Sequence, residues 1–452
     1  MHNTKTITTD QLKVMLGYKT TRFLVLNLAI VMLLTACQTG RGYSTNRQWE
    51  YKADQQAQAN LPPSTLGEAQ TQPALPQSAS IEQESIMPVT APAPAALPKV
   101  KVAILLPLSG KHEKLGQAML NAAQIALFDI GQHNFQLVPK DTRGTPDGAR
   151  NATREAVNEG AQLLLGPLFA ESVRTARPIA ATAQINMLAF STDWTLAGGN
   201  TYIMGFLPFD QIERLTDYAA KQGVNNIGMI AANDNYGRVV SSVFKNSTSR
   251  KGIALVKQQT FDPRSRNLSP DIRQFTDYDA RQGSTELPTP FNAVFMPVGG
   301  QQAVTIANLI THYDLPPTMV RRLGTGLMDD TALATEPSLE GTWFAAPSPN
   351  LRRDFTQKYM GTYGKPAPRL ATLAYDATAL AAVLAQRGIQ QTGQPSFDHA
   401  AITNPNGFTG INGIFRFRSD GTAERGLAVL EFKHGQITVI DEAPKTFQQS
   451  QY

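Results

Sequence analysis

The sequence predicts an α/β protein built on mostly parallel sheet, and three observations carry that expectation. Val100, Val102, Ile104, Leu105 and Leu106 form a short, largely β-branched apolar run, the pattern of a strand buried on both faces. Pro107 stops that run and Ser109-Gly110 turns the chain; from Lys114 the apolar residues Leu115, Met119, Ala122, Ile125 and Ala126 then recur at helical spacing. Beyond this first strand–turn–helix, strand-like and helix-like stretches keep alternating, as in repeated βαβ units. The loop of such a unit lies at the carboxyl end of its strand, the edge where open α/β sheets bind ligands.

In chain order, Phe135–Lys140 reads as the second strand, leading to Asp141-Thr142, and Pro146–Glu159 as a helix. Gln162–Leu165 is a third strand, followed by a helix over Ser172–Gln184. Asn186–Phe190 is a fourth strand, ending in Ser191-Thr192-Asp193. A second cycle starts near Tyr202, with a helix over Phe209–Gln222, a strand over Asn226–Ala231 and a turn at Asn233–Gly237 that opens a helix through Phe244. Ile253–Phe261, Asp271–Gln282, Ala293–Pro297 and Gln301–Tyr313 continue strand and helix in turn. Arg322–Gly326 follows, then a strand at Thr342–Ala345, a helix around Arg352–Tyr363 and a long alanine-rich helix over Leu370–Leu384. Gly410–Gly421, Leu427–Phe432 and Gln436–Ile440 are the last apolar stretches of the chain.

The formal charge of +5 over 452 residues is concentrated at the start. Lys5, Lys13, Lys19 and Arg22 precede Cys37 against Asp10 alone, which leaves 37 basic and 35 acidic residues downstream and no case for nucleic acid. Lys19 and Arg22 introduce Phe23–Leu34, an apolar run broken only by Asn27, too short to span a bilayer comfortably and suited to the core of a secretory signal. It ends in Leu34-Thr35-Ala36-Cys37, which resembles the bacterial lipobox and implies a signal peptide over 1–36 with acylation of Cys37. Gln38 follows where the inner-membrane retention signal has aspartate, which favours the inner leaflet of the outer membrane. Cys37 is the only cysteine, so neither an internal disulfide nor a cysteine-based metal site is available. Residues 37–98 lack apolar periodicity and are rich in Pro, Gln, Ala and Ser, the composition of a disordered tether that as a flexible coil averages roughly 45 Å end to end.

From Lys99 the motifs resemble a known family. AILLPLSG before a helix near Gly116-Gln117 is similar to the opening of the leucine-binding (type I) periplasmic receptors. Gly166-Pro167-Leu168, Ser191-Thr192-Asp193, the turn Asp234-Asn235-Tyr236-Gly237, Val298-Gly299-Gly300, Thr372–Asp376 and a closing hairpin over Gly410–Ile440 extend the likeness over about 100–441. The subset most closely resembled is the penicillin-binding-protein activator lipoproteins. The resemblance implies a two-lobed type I periplasmic-binding-protein fold over 99–441. Lobe one is then 99–203 with 341–408, lobe two 204–340 with 409–441, and 442–452 a tail.

The catalytic inventory is thin. No H-E-x-x-H, G-x-S-x-G or P-loop occurs, Gly324-Thr325-Gly326 lacks a third glycine, and His112, His133, His312, His399 and His434 are scattered. Asp329-Asp330 reads as a solvated loop or helix cap rather than a cation site. No enzyme and no cofactor are expected. The resemblance places a candidate cleft at Ser109, Ala170, Ser172, Ser191, Thr192, Asp193, Asp234 and Tyr236. Receptors of this kind hold an amino acid's carboxylate with hydroxyls and backbone N–H groups. The family's first hydroxyl position falls on Ala170, and Asp193 stands where a threonine is usual, so both changes argue against an amino-acid site; Ser172 is a substitute donor. Arg264 with Arg266, Arg321-Arg322 and Arg352-Arg353 suit an acidic partner if they share a face, and otherwise a solubilising surface.

The expected function, as the resemblance implies, is that of a lipid-anchored periplasmic, non-enzymatic activator of a peptidoglycan synthase (a penicillin-binding protein) acting by protein–protein contact. The alternative is a solute-binding lipoprotein of an ABC importer for a small polar ligand such as an amino acid.

Overall fold

The computed structural model describes residues 98–282 and 289–447. The expected leader, the acylated Cys37, the tether up to residue 97 and the last five residues of the tail lie outside the described residues.

Lobe one starts with β1 (Val100–Leu106), α1 (Glu113–Ile130), β2 (Phe135–Asp141), α2 (Pro146–Asn158), β3 (Leu163–Leu165), α3 (Ala170–Thr182), β4 (Asn186–Ala189) and β5 (Thr201–Ile203). The five strands are parallel in the order β2-β1-β3-β4-β5. β1 lies inside the sheet with helices on both faces, which is why Val102 to Leu106 are all shielded from solvent. Local chemistry sets the helix ends. Thr145 caps α2 by accepting from Gly148 N at 3.1 Å, ahead of Pro146 in the first turn. Gly131 ends α1 in the left-handed conformation, φ 66°.

Lobe two follows with α4 (Pro208–Lys221), β6 (Asn226–Ala232), α5 (Asn235–Arg250), β7 (Ala254–Phe261), α6 (Ser269–Phe275), α7 (Tyr278–Arg281), β8 (Ala293–Phe295), α8 (Gly300–His312), β9 (Arg321–Gly324) and β10 (Trp343–Ala346). The chain then returns to lobe one for α9 (Arg353–Tyr363) and α10 (Ala371–Thr392). Tyr375 Oη donates to Asp129 at 2.9 Å and Gln132 to the Ala382 carbonyl at 3.1 Å, which lays α10 against α1. After α11 (His399–Ile402), strands β11 (Phe408–Gly410), β12 (Gly413–Phe417) and β13 (Ala423–Arg425) make a small antiparallel sheet. β14 (Ala428–Lys433) and β15 (Gln436–Asp441) complete a seven-stranded sheet, β15-β14-β10-β9-β8-β6-β7.

Three differences from the sequence reading are physical. β10 pairs in parallel with β9 and antiparallel with β14, so the chain leaves lobe two only after Ala346, not near residue 341. The helix expected over 271–282 is two pieces, because Asp277 adopts φ 50° between them. α10 runs eight residues past Leu384 and stops where Gly393 turns left-handed at φ 79°.

Candidate functional site: the gap between the lobes

β5 leaves lobe one from its carboxyl end into 204–207 and α4, and β10 leaves lobe two from its carboxyl end toward α9. The carboxyl edges of both parallel sheets therefore face one gap. A third crossing runs through the small sheet, which is tied to lobe one where Ile203 N donates to the Gly421 carbonyl at 2.8 Å.

Every candidate residue lies on those edges, but few of their polar groups are free. After Pro107 stops β1, Leu108 N (2.9 Å) and Ser109 N (3.2 Å) donate to one oxygen of Asp141, and Ser109 Oγ donates to the other at 2.6 Å. Burial pushes the Asp141 pKa up, yet the Ser109 hydroxyl and the N–H groups of Arg143, Leu108 and Ser109 together bring it below the ordinary value. Ser109 braces its own loop. Ala170 opens α3 half-buried, with no side-chain donor. Ser172, the expected substitute, is buried with its hydroxyl on the Thr145 carbonyl at 3.4 Å, and so is not a donor to the gap. Ser191 is buried and accepts from Asp193 N at 3.0 Å, whereas Thr192 is exposed. Asp193 brings no uncompensated charge. Its carboxylate accepts from Thr195 N (3.1 Å) and lies 3.3 Å from Arg174 Nη2, because it caps the short turn over Trp194–Leu196.

On lobe two, Asp234 caps α5 by accepting from Gly237 N at 2.7 Å. Only glycine fits at 237, since a Cβ there would stand 1.9 Å from the Ala232 carbonyl oxygen. Tyr236 Oη lies 3.1 Å from Thr325 Oγ1. Burial raises the Tyr236 pKa, against the opposing pull of Thr325 and Arg369.

The floor of the gap holds residues that the sequence does not mark as a site, together with Asp329, which reads as a solvated loop but has a buried side chain, and Arg352, which reads as surface. Arg369 donates to the Gly326 carbonyl at 2.7 Å, pairs with Asp329 at 3.1 Å and lies over the Phe206 ring. Asp329 also takes Arg352 at 3.2 Å, while Gln211 accepts from Gly326 N at 2.7 Å. Arg425 is buried, stacks on Phe206 and donates to the Met204 carbonyl at 2.7 Å. Asp376 is buried and accepts from Ile411 N and Asn412 Nδ2, both at 2.8 Å. Asp210 accepts from Arg418 at 3.1 Å and from Arg425 N at 2.9 Å. Burial lowers the Arg425 pKa to about 10 and raises that of Asp376, while each charge opposes the shift of the other. No short motif announces this cluster, because its members are brought together over spans of up to about two hundred residues.

The arginine pairs do not share a face. Arg321 packs over Trp343 at 4.5 Å, Arg322 is fully buried, and Arg352 is engaged with Asp329. Arg264 and Arg266 are exposed on the loop after β7. His112 packs on Phe169 at 4.6 Å, and Tyr202 Oη meets His399 Nδ1 at 2.8 Å. Among the described residues no group of three His, Cys, Asp or Glu side chains is placed to hold a metal ion, and no helix is long and apolar enough to cross a membrane.

Comparison with known proteins agrees with this architecture. The family model described as periplasmic binding protein matches residues 99–436. An ABC transporter substrate-binding protein from Sphaerobacter thermophilus superposes with a TM-score of 0.62 at 17% identity, over 77% of this chain and 98% of its own. A leucine-binding protein from Thermotoga maritima gives 0.55 at 21% identity, over 76% of this chain and 98% of its own. A solute-binding protein of an ABC transporter from Rhodopseudomonas palustris, in complex with 3,4-dihydroxybenzoic acid, gives 0.57 at 17%, over 77% and 97%. No curated protein matches the chain.

Proposed function

This chain belongs to the periplasmic binding protein family, whose model spans most of it, and from that membership we propose that it is a non-catalytic solute-binding protein taking a small polar ligand between its lobes for an ABC importer. The observation that carries the reading is the paired carboxyl edges, an architecture shared with a leucine-binding protein and with a solute-binding protein of an ABC transporter in complex with 3,4-dihydroxybenzoic acid. The family's hydroxyl position at Ala170 has no donor, so the gap lacks one of the hydroxyls with which such receptors hold an amino acid's carboxylate, while the Asp193 charge is compensated by Arg174. Acylation of Cys37 and anchoring to the outer membrane belong to the same proposal.

One observation favours a second reading, activation of a peptidoglycan synthase by contact. Ser109, Ser172, Ser191, Asp193 and Tyr236 already have partners within the protein, so the gap does not depend on an amino acid to satisfy them. The two readings separate in one experiment. A ligand at a hundredfold excess over Kd stabilises by about 2.7 kcal/mol, which is a measurable shift in melting temperature. Under the first reading one member of a panel of amino acids, aromatic acids and other small polar solutes shifts the midpoint saturably. No shift across the panel, together with a raised glycan-polymerising or transpeptidase rate when the protein is mixed with a synthase of the same cell, gives first place to the second reading.

A further inference from the structure

We propose that the mouth of the gap takes a ligand carrying two or more anionic groups, carboxylate or phosphate, which bridges the lobes and draws them together; this rests on the solute-binding reading above.

In lobe one the hinge side is β5 and the far side is β2 with β1; in lobe two the far side is β7 with β6. Those far corners carry exposed cations of both lobes, on the loops and on the first turns of the helices that follow. On lobe one they are Lys111 and Lys114, after β1, and Arg143, after β2; on lobe two they are Arg238, after β6, and Arg264 and Arg266, after β7. None of the six has an ion-pair partner among the described residues.

The acids of the same corners are treated differently. Asp141 is held by Ser109 and three backbone N–H groups, Asp147 by Arg150, Asp234 by Gly237 N and Asp262 by Arg264 N at 2.9 Å. Glu113 is the exposed acid left beside Lys111 and Lys114. The acids are used in building the loops, whereas the cations project with their donors unspent. A zwitterion would need a free carboxylate for its ammonium group, and the corners offer mainly guanidinium groups. Four of the six cations are arginines, whose planar fork binds carboxylate and phosphate oxygens in pairs.

Each lip keeps a small positive excess, three cations against Asp141 and Glu113 on lobe one and three against Asp234 and Asp262 on lobe two, and that shared sign also has a mechanical sense. With the gap empty, repulsion between the lips opposes their approach at low ionic strength. An anion in contact with both lips replaces that repulsion by attraction. It binds the approached state more tightly than the open one, which is the differential affinity a ligand-driven closure requires.

The test uses the full chain with Cys37→Ser and spin labels at Phe128→Cys and Val256→Cys, two exposed positions on different lobes. Tri-glutamate and inorganic tripolyphosphate are the anionic probes, with triglycine and leucine as controls. The expected result is a shortened inter-label distance with at least one anionic probe and none with the controls, weakened by added salt. Whichever probe acts identifies carboxylate or phosphate as the group recognised. Arg264→Gln with Arg266→Gln on one lip, and Lys111→Gln with Arg143→Gln on the other, should each lower affinity roughly tenfold without changing the melting temperature of the unliganded protein. Binding that only one lip's variants weaken, or that neither pair weakens, overturns the bridging proposal. Closure by leucine or triglycine but not by the anions overturns it while leaving the solute-binding reading intact. If melting shifts and label distances respond to no solute of any class, both fall together.

Discussion

The guanidinium carbon of Arg369 lies 4.4 Å from the centre of the Phe206 ring, and that of Arg425 lies 4.9 Å from the same ring. Phe206 is on the first crossing between the lobes, Arg369 immediately precedes α10 of lobe one, and Arg425 ends the small sheet of the third crossing. A single ring thus joins the first and third crossings to the segment of lobe one ahead of α10. Phe206→Leu keeps most of the apolar volume but removes both ring faces, and should cost about 2 kcal/mol in urea unfolding. Phe206→Tyr retains the ring and should cost less. Equal losses for the two variants would show that the ring faces contribute nothing.

Asp329 compensates two arginines at once, Arg352 and the largely buried Arg369. Asp329→Asn leaves those charges without a carboxylate and should destabilise the protein by about 3 kcal/mol. Adding Arg369→Met to that variant should recover part of the loss, because the stranded charge is then gone. Strict additivity of the two substitutions in a double-mutant cycle would contradict the pairing.

Arg322 is fully buried and, among the described residues, faces no carboxylate; it donates to the Leu315 carbonyl at 2.6 Å, to Thr311 Oγ1 at 3.1 Å and to the Val320 carbonyl. Burial, with Arg321 nearby, lowers its pKa to about 10. Arg322→Ala opens a cavity and strands those carbonyls, and should cost about 3–5 kcal/mol. Arg322→Met refills the volume without a charge and should be clearly the milder change in thermal denaturation.

The loop that Ser109 braces gives a pH prediction. Burial works against the Asp141 carboxylate, but its hydrogen bonds win and its folded pKa falls below the ordinary 3.8. A depressed acid stabilises the fold fully above its unfolded pKa, and the contribution is lost as pH falls through the folded value. The stability difference between the wild type and Asp141→Asn should therefore be constant, at about 1–2 kcal/mol, from neutrality down to about pH 5. It should shrink below pH 4. A difference that instead grows with acidification would reverse the assignment.

Anchoring is checked separately. Cys37→Ser should abolish acylation and release the protein from the outer-membrane fraction, and unchanged fractionation would remove the lipid anchor.

Much of the fold was legible because buried parallel strands advertise themselves as continuous apolar runs, as in Val100–Leu106 and Asn226–Ala232. Three-residue β5 and the small hinge sheet were harder, since pieces that short carry almost no periodicity. The candidate residues lie on the carboxyl edges of their sheets, because a βα loop follows directly from its strand. Whether their donors are free was not legible. The partner of Asp193 is on α3 and that of Ser109 is on β2, and nothing in a local stretch reveals either. Arg321-Arg322 shows the same limit. Two adjacent arginines read as surface, yet alternation along β9 turns one toward Trp343 and the other into the core.

The direction of β1 has a consequence for load. The chain enters lobe one at Pro98, whose carbonyl accepts from Asn134 Nδ2 at 3.0 Å, and β1 then runs inward between β2 and β3 to end at the gap. A pull on the segment upstream of Pro98, along the strand, acts on β1 from its far end and loads its backbone hydrogen bonds to both neighbours in shear rather than peeling them in turn. The gap lies at the opposite end of β1 from the point where that load enters, so the force reaches the ligand edge only after passing along the whole strand.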